Sequence, residues 1–452
     1  MTRSRAVAKW ITSELPELVK EHGVPGAQVA VLVDGEVLDA ATGVLNTATG
    51  VPVTTDAVFQ IGSITKVWTA TLVRQLVNEG RLELDRPVRE YLPEFRLADE
   101  AASATVTARQ LLCHTAGFEG DLFTDTGGND DAVEKYVATL ASAAQVFPPG
   151  ERFSYCNSGY VVLGRLVEIL RGKPYNTVLR ERLITPLRLE HVATHIGEAI
   201  LELPAVGHVP KAPGEPVAPA PVWSLVASNA PAGTLLAMCA RSLLGFARMH
   251  LSDPSFDLMR RPQVVLPDLG MPRAHCGLGW MLLDYPGGTV IGHDGGTIGQ
   301  FAFLRIVPQA GVAVALLANG GDVLPVYHSV FSHLLAELAG VELPALPVPP
   351  ADPQPVDAKR VSGTYRTTTA ELELSVDAEG RAWLRTVART EAAKRVLPEP
   401  TVLELVRLHD DVLITVELRG GVHQVIGLFG SDSHGRAKFL HSNGRAVARA
   451  PG

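Results

Sequence analysis

VFQIGSITKVWTATLVRQLVNEG, residues 58–80, sets a serine and a lysine at the mouth of an apolar helix. After Gly62 comes Ser63-Ile64-Thr65-Lys66, and Ile64, Val67, Trp68, Leu72, Val73, Leu76 and Val77 then recur at helical spacing. Asn78-Glu79-Gly80 supplies the stop. Ser63 therefore falls in the first turn of a buried helix, with Lys66 three residues on and on the same face. The unpaired amides and positive dipole end there favour an oxyanion by about 0.3–1 kcal/mol. The same field, together with desolvation, pushes Lys66 below the ordinary lysine pKa of about 10.4, toward a usable base. A Ser–Lys pair so placed is a candidate activated nucleophile. S-x-x-K by itself often marks only a solvated serine and a solvated lysine, but here it lies inside an apolar helix.

Upstream, 1–23 read as an amphipathic helix, and GAQVAVLVDGEVLDAATG as two strands about a turn at Asp34-Gly35. Downstream, helices are expected over 106–115, 131–144, 159–171 and, opened by Pro231-Ala232-Gly233-Thr234, through His250. Residues 195–230 read as a surface excursion. From Cys276 the pattern turns to strands, GLGWMLLDY, GTVIGHDGG, QFAFLRIVP and GVAVALLAN, closed by the helix VYHSVFSHLLAELAG. Outer helices and antiparallel strands around a helical region indicate an α+β core whose terminal parts share one sheet. A Pro-rich linker, residues 344–356, ends this first domain (1–343). Beyond it, 357–452 alternates apolar and polar residues in short segments, which argues an antiparallel β-barrel of about eight strands.

The chain has 452 residues, 46% hydrophobic and 19% charged, as a globular protein of two or three domains does. A net charge of −8 without a basic run argues against nucleic acid as a partner. No apolar stretch reaches the roughly 20 residues needed to span a bilayer, and the charged N-terminus is not a signal peptide. Four cysteines (Cys113, Cys156, Cys239 and Cys276) without paired spacing fit reduced thiols in a cytoplasmic protein. No His/Cys/Asp cluster has metal-ligand spacing, so neither metal nor cofactor is expected.

Two further motifs follow Ser63. Tyr155-x-Asn157 offers a phenol and an amide: a phenol near an ammonium is favoured as phenolate and could relay a proton, and the amide could donate to a substrate carbonyl. The same residues equally describe a buried tyrosine and a turn asparagine. His293-Asp294-Gly295-Gly296 lies between two strand patterns, and its glycines let a backbone approach a ligand closely. The Gly296 amide could pair with that of Ser63 as an oxyanion hole. His114, His195 and His275 are read as structural.

Together and in this order, Ser63-Ile64-Thr65-Lys66, Tyr155-Cys156-Asn157 and His293-Asp294-Gly295 resemble the three motifs of the serine β-lactamase and penicillin-binding-protein superfamily. The resemblance is to the class C-like branch, where H-x-G replaces K-T-G. LLCHTAGF, FPPGERFSYCNSGYVVLG, PAGTLLAMCARSLLGFARM and GLGW support it over about residues 10–340. It implies a class C β-lactamase-like domain, with Ser63 acylated, Lys66 and Tyr155 handling the proton and His293 on the third wall. Cys156 stands where serine is more usual and is expected to have no chemical role.

With a C-terminal barrel, expected to be lipocalin-like, the chain looks like the stand-alone penicillin-binding-protein-type thioesterases. That resemblance implies transfer of a nonribosomal peptide from the phosphopantetheine thioester of a peptidyl carrier protein onto Ser63. Release is then by head-to-tail macrolactamisation, with a D-residue at the acyl end. The barrel is the candidate lid. Arg445 and Arg449, in a last strand pattern HSNGRAVAR, are candidates to reach the site and bind substrate, along with Gly295; each arginine equally describes a solvated edge residue. The alternatives are a D-stereospecific peptidase, amidase or esterase, and a β-lactam-acylated protein that does not turn over.

Overall fold

The computed structural model describes residues 3–212 and 214–451. Met1 and Thr2 of the expected first helix, Pro213 of the expected excursion and Gly452 lie outside them.

Asp34 and Gly35 both take positive φ (50° and 80°) and join Gly26–Val33 to Glu36–Gly43 as a two-residue hairpin. This hairpin is one edge of an eight-stranded antiparallel sheet. The order runs Glu36–Gly43, Gly26–Val33, Val312–Ala318, Phe301–Val307, Gly288–Gly296, Met281–Tyr285, Ala274–Cys276 and Val264–Val265. The two ends of the domain thus meet inside it, with Val31 opposite Val314. Gly26–Val33 and Val312–Ala318 are buried along their whole length, so they read as continuous apolar runs rather than as alternation.

Helices Arg3–Glu21 and Val323–Ala339 cover one face. The first turns Val7, Ile11, Leu15 and Val19 inward, the 3.6-residue repeat of a one-sided helix. The other face carries Thr65–Asn78, Asn157–Arg171 and Ala240–Ser252. Thr65–Asn78 is buried nearly all round, and Trp68 stacks on Phe246 with ring centroids 4.0 Å apart. Replacing such a tryptophan by alanine costs about 3–5 kcal/mol.

Four expectations need correction. Pro231–Thr234 does not open a helix: Ala227–Ala232 is a 3₁₀ turn, Gly233 turns left-handed (φ 117°), and the helix begins at Ala240. A methyl group on Gly233 would overlap the Gly62 carbonyl oxygen, so this backbone is shaped by its approach to the Ser63 turn. GLGW is not strand; pairing starts at Met281, after Gly279 (φ 90°) packs on Ala70. The 195–230 segment is not all surface, since Ser228 and Asn229 are fully buried. HSNGRAVAR is not one strand but a hairpin, Phe439–Ser442 and Arg445–Ala448 about Asn443-Gly444.

The C-terminal barrel is an eight-stranded antiparallel meander in sequential order. It includes Gly363–Arg366, which the sequence pattern did not single out. First and last strands approach at Tyr365 and Arg449, and Ala450 N donates to Thr364 O, leaving the barrel nearly closed. Tyr365, Leu374, Leu405, Leu413, Ile426, Leu428 and Leu440 fill one end of its interior.

Candidate active site

Gly62 takes φ 51° and turns the chain into Gly62–Ile64, a 3₁₀ turn leading directly into helix Thr65–Asn78. Ser63 thus sits just ahead of the α-helix, in a tighter turn than the sequence suggested. Lys66 Nζ lies 3.0 Å from Ser63 Oγ and donates to Ala232 O at 2.5 Å. Lys66 is fully buried. Burial, and then the positive charge of Arg445, holds its amine well below the usual lysine range, with Asp121 opposing. A neutral amine has one lone pair: with an N–H committed to Ala232, that pair is free to take the Ser63 proton.

Tyr155 lies just ahead of helix Asn157–Arg171, which starts two residues earlier than its pattern indicates. Lys66 Nζ is 4.9 Å from the centre of its ring. The expected phenolate is not what this environment favours. Burial raises the Tyr155 phenol above its ordinary value, the Ser63 hydroxyl and Arg445 pull the other way, and the phenol keeps its proton. A protonated phenol can donate a proton and a neutral amine beside a hydroxyl can accept one.

Asn157 Nδ2 donates to Asp121 Oδ1 at 2.6 Å, so one donor expected for a substrate carbonyl is already engaged. His293 is buried beside the Tyr155 ring, with centroids 6.1 Å apart. Its Nδ1 contacts Asp294 O (2.6 Å) and its Nε2 has no hydrogen-bond partner. Burial and then Lys66 bring it to about 4, so it is a neutral imidazole at pH 7. Asp294 turns away into an ion pair with the buried Arg305.

Gly295 and Gly296 press against the serine turn. A methyl on Gly62 would come within 2.5 Å of Gly296 N, and one on Gly295 would overlap the Ile61 carbonyl oxygen. No side chain fits between, which brings the backbone amides of Ser63 and Gly296 to neighbouring positions, as an oxyanion hole needs. Among the described residues no group of three or more side chains could hold a metal ion.

Residues 11–331 match the Beta-lactamase family. The chain belongs to that family. Penicillin-binding protein 4 of Amycolatopsis lactamdurans is 44% identical over 360 residues, covering 76% of this chain and 94% of its own. The crystal structure of SurE superposes with a TM-score of 0.77 at 30% identity, covering 98% of this chain and 99% of that one. The octameric penicillin-binding protein homologue from Pyrococcus abyssi shares the fold at 21% identity and TM-score 0.66, over 99% of this chain and 100% of that one. The likeness to SurE includes the barrel, as it spans almost the whole chain.

In this β-lactamase-family site the barrel supplies part of the wall. Gly444 O accepts from Tyr155 N (2.8 Å), and Ala446 N donates to Ser154 Oγ (3.1 Å). Arg445 pairs with Asp121 at 2.9 Å and lies 4.6 Å over the Tyr155 ring. Arg449 does not reach the site. It is spent inside the barrel, donating to Tyr365 Oη (2.7 Å) and to Ser362 O (2.7 Å). Asp121, which ties Asn157 to Arg445, escaped the sequence reading because it stands in a loop without motif or period. His114, expected to be structural, accepts from Cys156 N (3.0 Å) and stacks on Tyr155 at 4.3 Å. Cys156 caps its helix, its Sγ accepting from Gly159 N. All four cysteines are free and buried, and no described helix is long and apolar enough to cross a membrane.

Proposed function

We propose that the protein is a trans-acting peptide cyclase: Ser63 takes a peptidyl group from a carrier-protein thioester, and the peptide's own amine releases it as a macrolactam. The observation that carries this reading is the barrel hairpin seated on the nucleophile's site. Gly444 meets the Tyr155 backbone, and Arg445, paired with Asp121, lies over the ring. Hydrolysis needs only an open cleft, whereas aminolysis has to outcompete about 55 M water. Holding amine and ester together supplies effective molarities of 10⁵ M or more, and a roof that excludes water adds to it.

Lys66 takes the Ser63 proton as Oγ attacks the thioester carbonyl, and the amides of Ser63 and Gly296 hold the oxyanion. Tyr155 passes a proton to the departing thiolate as it takes one from Lys66, so that both end neutral. In the second half the peptide amine attacks the ester carbonyl and gives its proton to Tyr155 and Lys66, and Lys66, 3.0 Å away, returns one to Ser63 Oγ as it leaves. Thioester to ester is nearly neutral and ester to amide is downhill, so no nucleotide is consumed. A D-residue at the acyl end is supported by SurE having been crystallised with D-Leu. The four unpaired thiols favour the cytoplasm, where a phosphopantetheine-linked peptide on a carrier protein is the partner.

Intact-mass analysis with a peptidyl thioester ending in a D-residue tests it. The expected result is an adduct on the wild type, none on Ser63→Ala, and a product one water lighter than the linear acid. Linear acid alone would replace this reading with a D-stereospecific hydrolase. A stable adduct without product would make it a protein that is acylated and does not turn over.

A further inference from the structure

A cavity of about 510 Å³ lies where the open end of the barrel faces the catalytic domain. Tyr155, Asp121 and Arg445 line it on the catalytic side, and Phe118, Leu122 and Val146 continue that wall. The opposite wall is the barrel interior, built in layers by strand pairing. Leu372, Thr386 and Thr401 stand opposite one another across three neighbouring strands, and Leu374, Leu384 and Leu403 form the next layer in. Leu374 is buried and belongs to the filled end, whereas Leu372 and Leu403 keep solvent access although they pack against the barrel core. Half of the barrel is a packed core and the other half is a cup. The cup has leucine sides, threonine hydroxyls and Gln424, those two layers carry no charged residue, and Arg366 of the first barrel strand and Glu119 also line the cavity.

We infer that this cup is a subsite for the uncharged middle portion of the acyl substrate, taking the residues that precede the one esterified to Ser63. The inference rests on the acyl-transfer reading above for the identity of the occupant. Three observations carry it. The cavity adjoins the serine's surroundings at Tyr155, which lines it and whose ring centre lies 4.9 Å from Lys66 Nζ, so a chain leaving Ser63 has a neighbouring place to go past Tyr155 and Arg445. Its volume lies within the roughly 300–1,000 Å³ of sites that enclose drug-sized ligands, larger than one side chain needs. The barrel layers are apolar with hydroxyl and amide groups, and the charged residues that line the rest of the cavity already have partners (Arg445 with Asp121, Arg366 with Glu371, Glu119 with Thr368 N). Such a lining suits peptide backbone and aliphatic or aromatic side chains and penalises a further buried charge. The barrel is thereby a specificity element as well as a roof, and it reads substrate length and polarity away from the bond that reacts.

The test uses full-length protein carrying Ser63→Ala, so that ligands bind without reacting. Two linear peptide amides share their last two residues: a dipeptide, and a hexapeptide extended by four uncharged residues. The hexapeptide is expected to bind at least tenfold more tightly. Adding Leu403→Trp, which fills the cup, is expected to remove most of that advantage and to leave dipeptide affinity within twofold. Leu403→Met, of similar volume, is expected to keep the advantage. A hexapeptide carrying two lysines in the extension is expected to lose it. Equal affinity for both peptides, or an advantage that survives Leu403→Trp, overturns the subsite, as does equal weakening of both ligands by Leu403→Trp. These binding readouts are separate from acylation. A wild-type enzyme that forms no adduct from thioesters sinks the cyclase, while a length advantage abolished by Leu403→Trp still upholds the subsite.

Discussion

In the proposed reaction Lys66 and Tyr155 divide the proton work by environment. Lys66 is buried and Tyr155 partly so, and desolvation drives a cationic acid and a neutral acid in opposite directions. The amine becomes easier to hold neutral and the phenol harder to ionise. Activity should therefore rise with pH through the lowered Lys66 pKa, and Tyr155 should impose no loss at neutral pH. Two neighbours tune that rise: Arg445 lowers the Lys66 pKa and Asp121 raises it. Arg445→Gln is expected to move the acidic limb of kcat/KM for Ser63 acylation to higher pH, and Asp121→Asn to lower pH. A limb that stays put in both variants would detach the ion pair from the base. Tyr155→Phe should cut turnover by about 10²–10⁴-fold, the usual range for a positioned proton donor, and leave that limb in place. In the proposed cyclisation Arg445 roofs the second half of the reaction, so its variant should also lose cyclised product faster than it loses adduct.

At the scale of elements, the site is a meeting of three backbones at glycine. The serine turn, the Gly233 turn and the Gly288–Gly296 strand approach more closely than side chains allow. Gly295→Ala is expected to lower Ser63 acylation by about 10²–10³-fold, the effect of losing an oxyanion-hole donor, because the strand must retreat from Ile61. Normal acylation in a folded Gly295→Ala protein would remove Gly296 from the oxyanion hole. Much of this layout is legible in the sequence, because the buried helix, the Asp34-Gly35 hairpin and the apolar strands each repeat a local rule. What escaped it is non-local. Pro231–Thr234 resembles a helix start, yet its path is set by Lys66 reaching for the Ala232 carbonyl. Asp121 acquires its importance only when a residue more than 300 positions away docks on it. The Asn443-Gly444 pair is a miss of another kind, for Asn-Gly is the strongest short hairpin signal. The turn was legible, but what it touches was not.

Across the whole molecule, the barrel is held to the catalytic domain by a small, partly polar set of contacts. Phe439 meets Phe147 edge-on at 6.2 Å and lies 4.0 Å under the Arg152 guanidinium, and Glu119 accepts from Thr368 N (2.7 Å). Among these sits His441, buried near Phe153 of the catalytic domain and Phe429 of the barrel, with neither ring nitrogen hydrogen-bonded. Burial, then the charges of Arg445 and Arg152, lowers it to about 4. His293 falls to about 4 and His250 to about 3 by burial first. An unfolded histidine takes up its proton near pH 6.5, so between pH 6.5 and about 4 the unfolded chain binds more protons and stability rises with pH. Acidification through that window therefore removes stability, about 2 kcal/mol per histidine at pH 5. For His441 the loss falls on the interface that roofs the nucleophile. Urea midpoints of wild type at pH 7.5 and 5.0 should separate, and His441→Phe should narrow the gap by about 2 kcal/mol while Ser63 acylation at pH 7.5 persists. The same narrowing should appear as slower cleavage of the Pro-rich linker by a nonspecific protease at pH 5.0, because a barrel that stays docked restrains it. A gap of unchanged size in His441→Phe would mean that this ring is solvated or paired in solution, and that the barrel's docking does not depend on its being neutral.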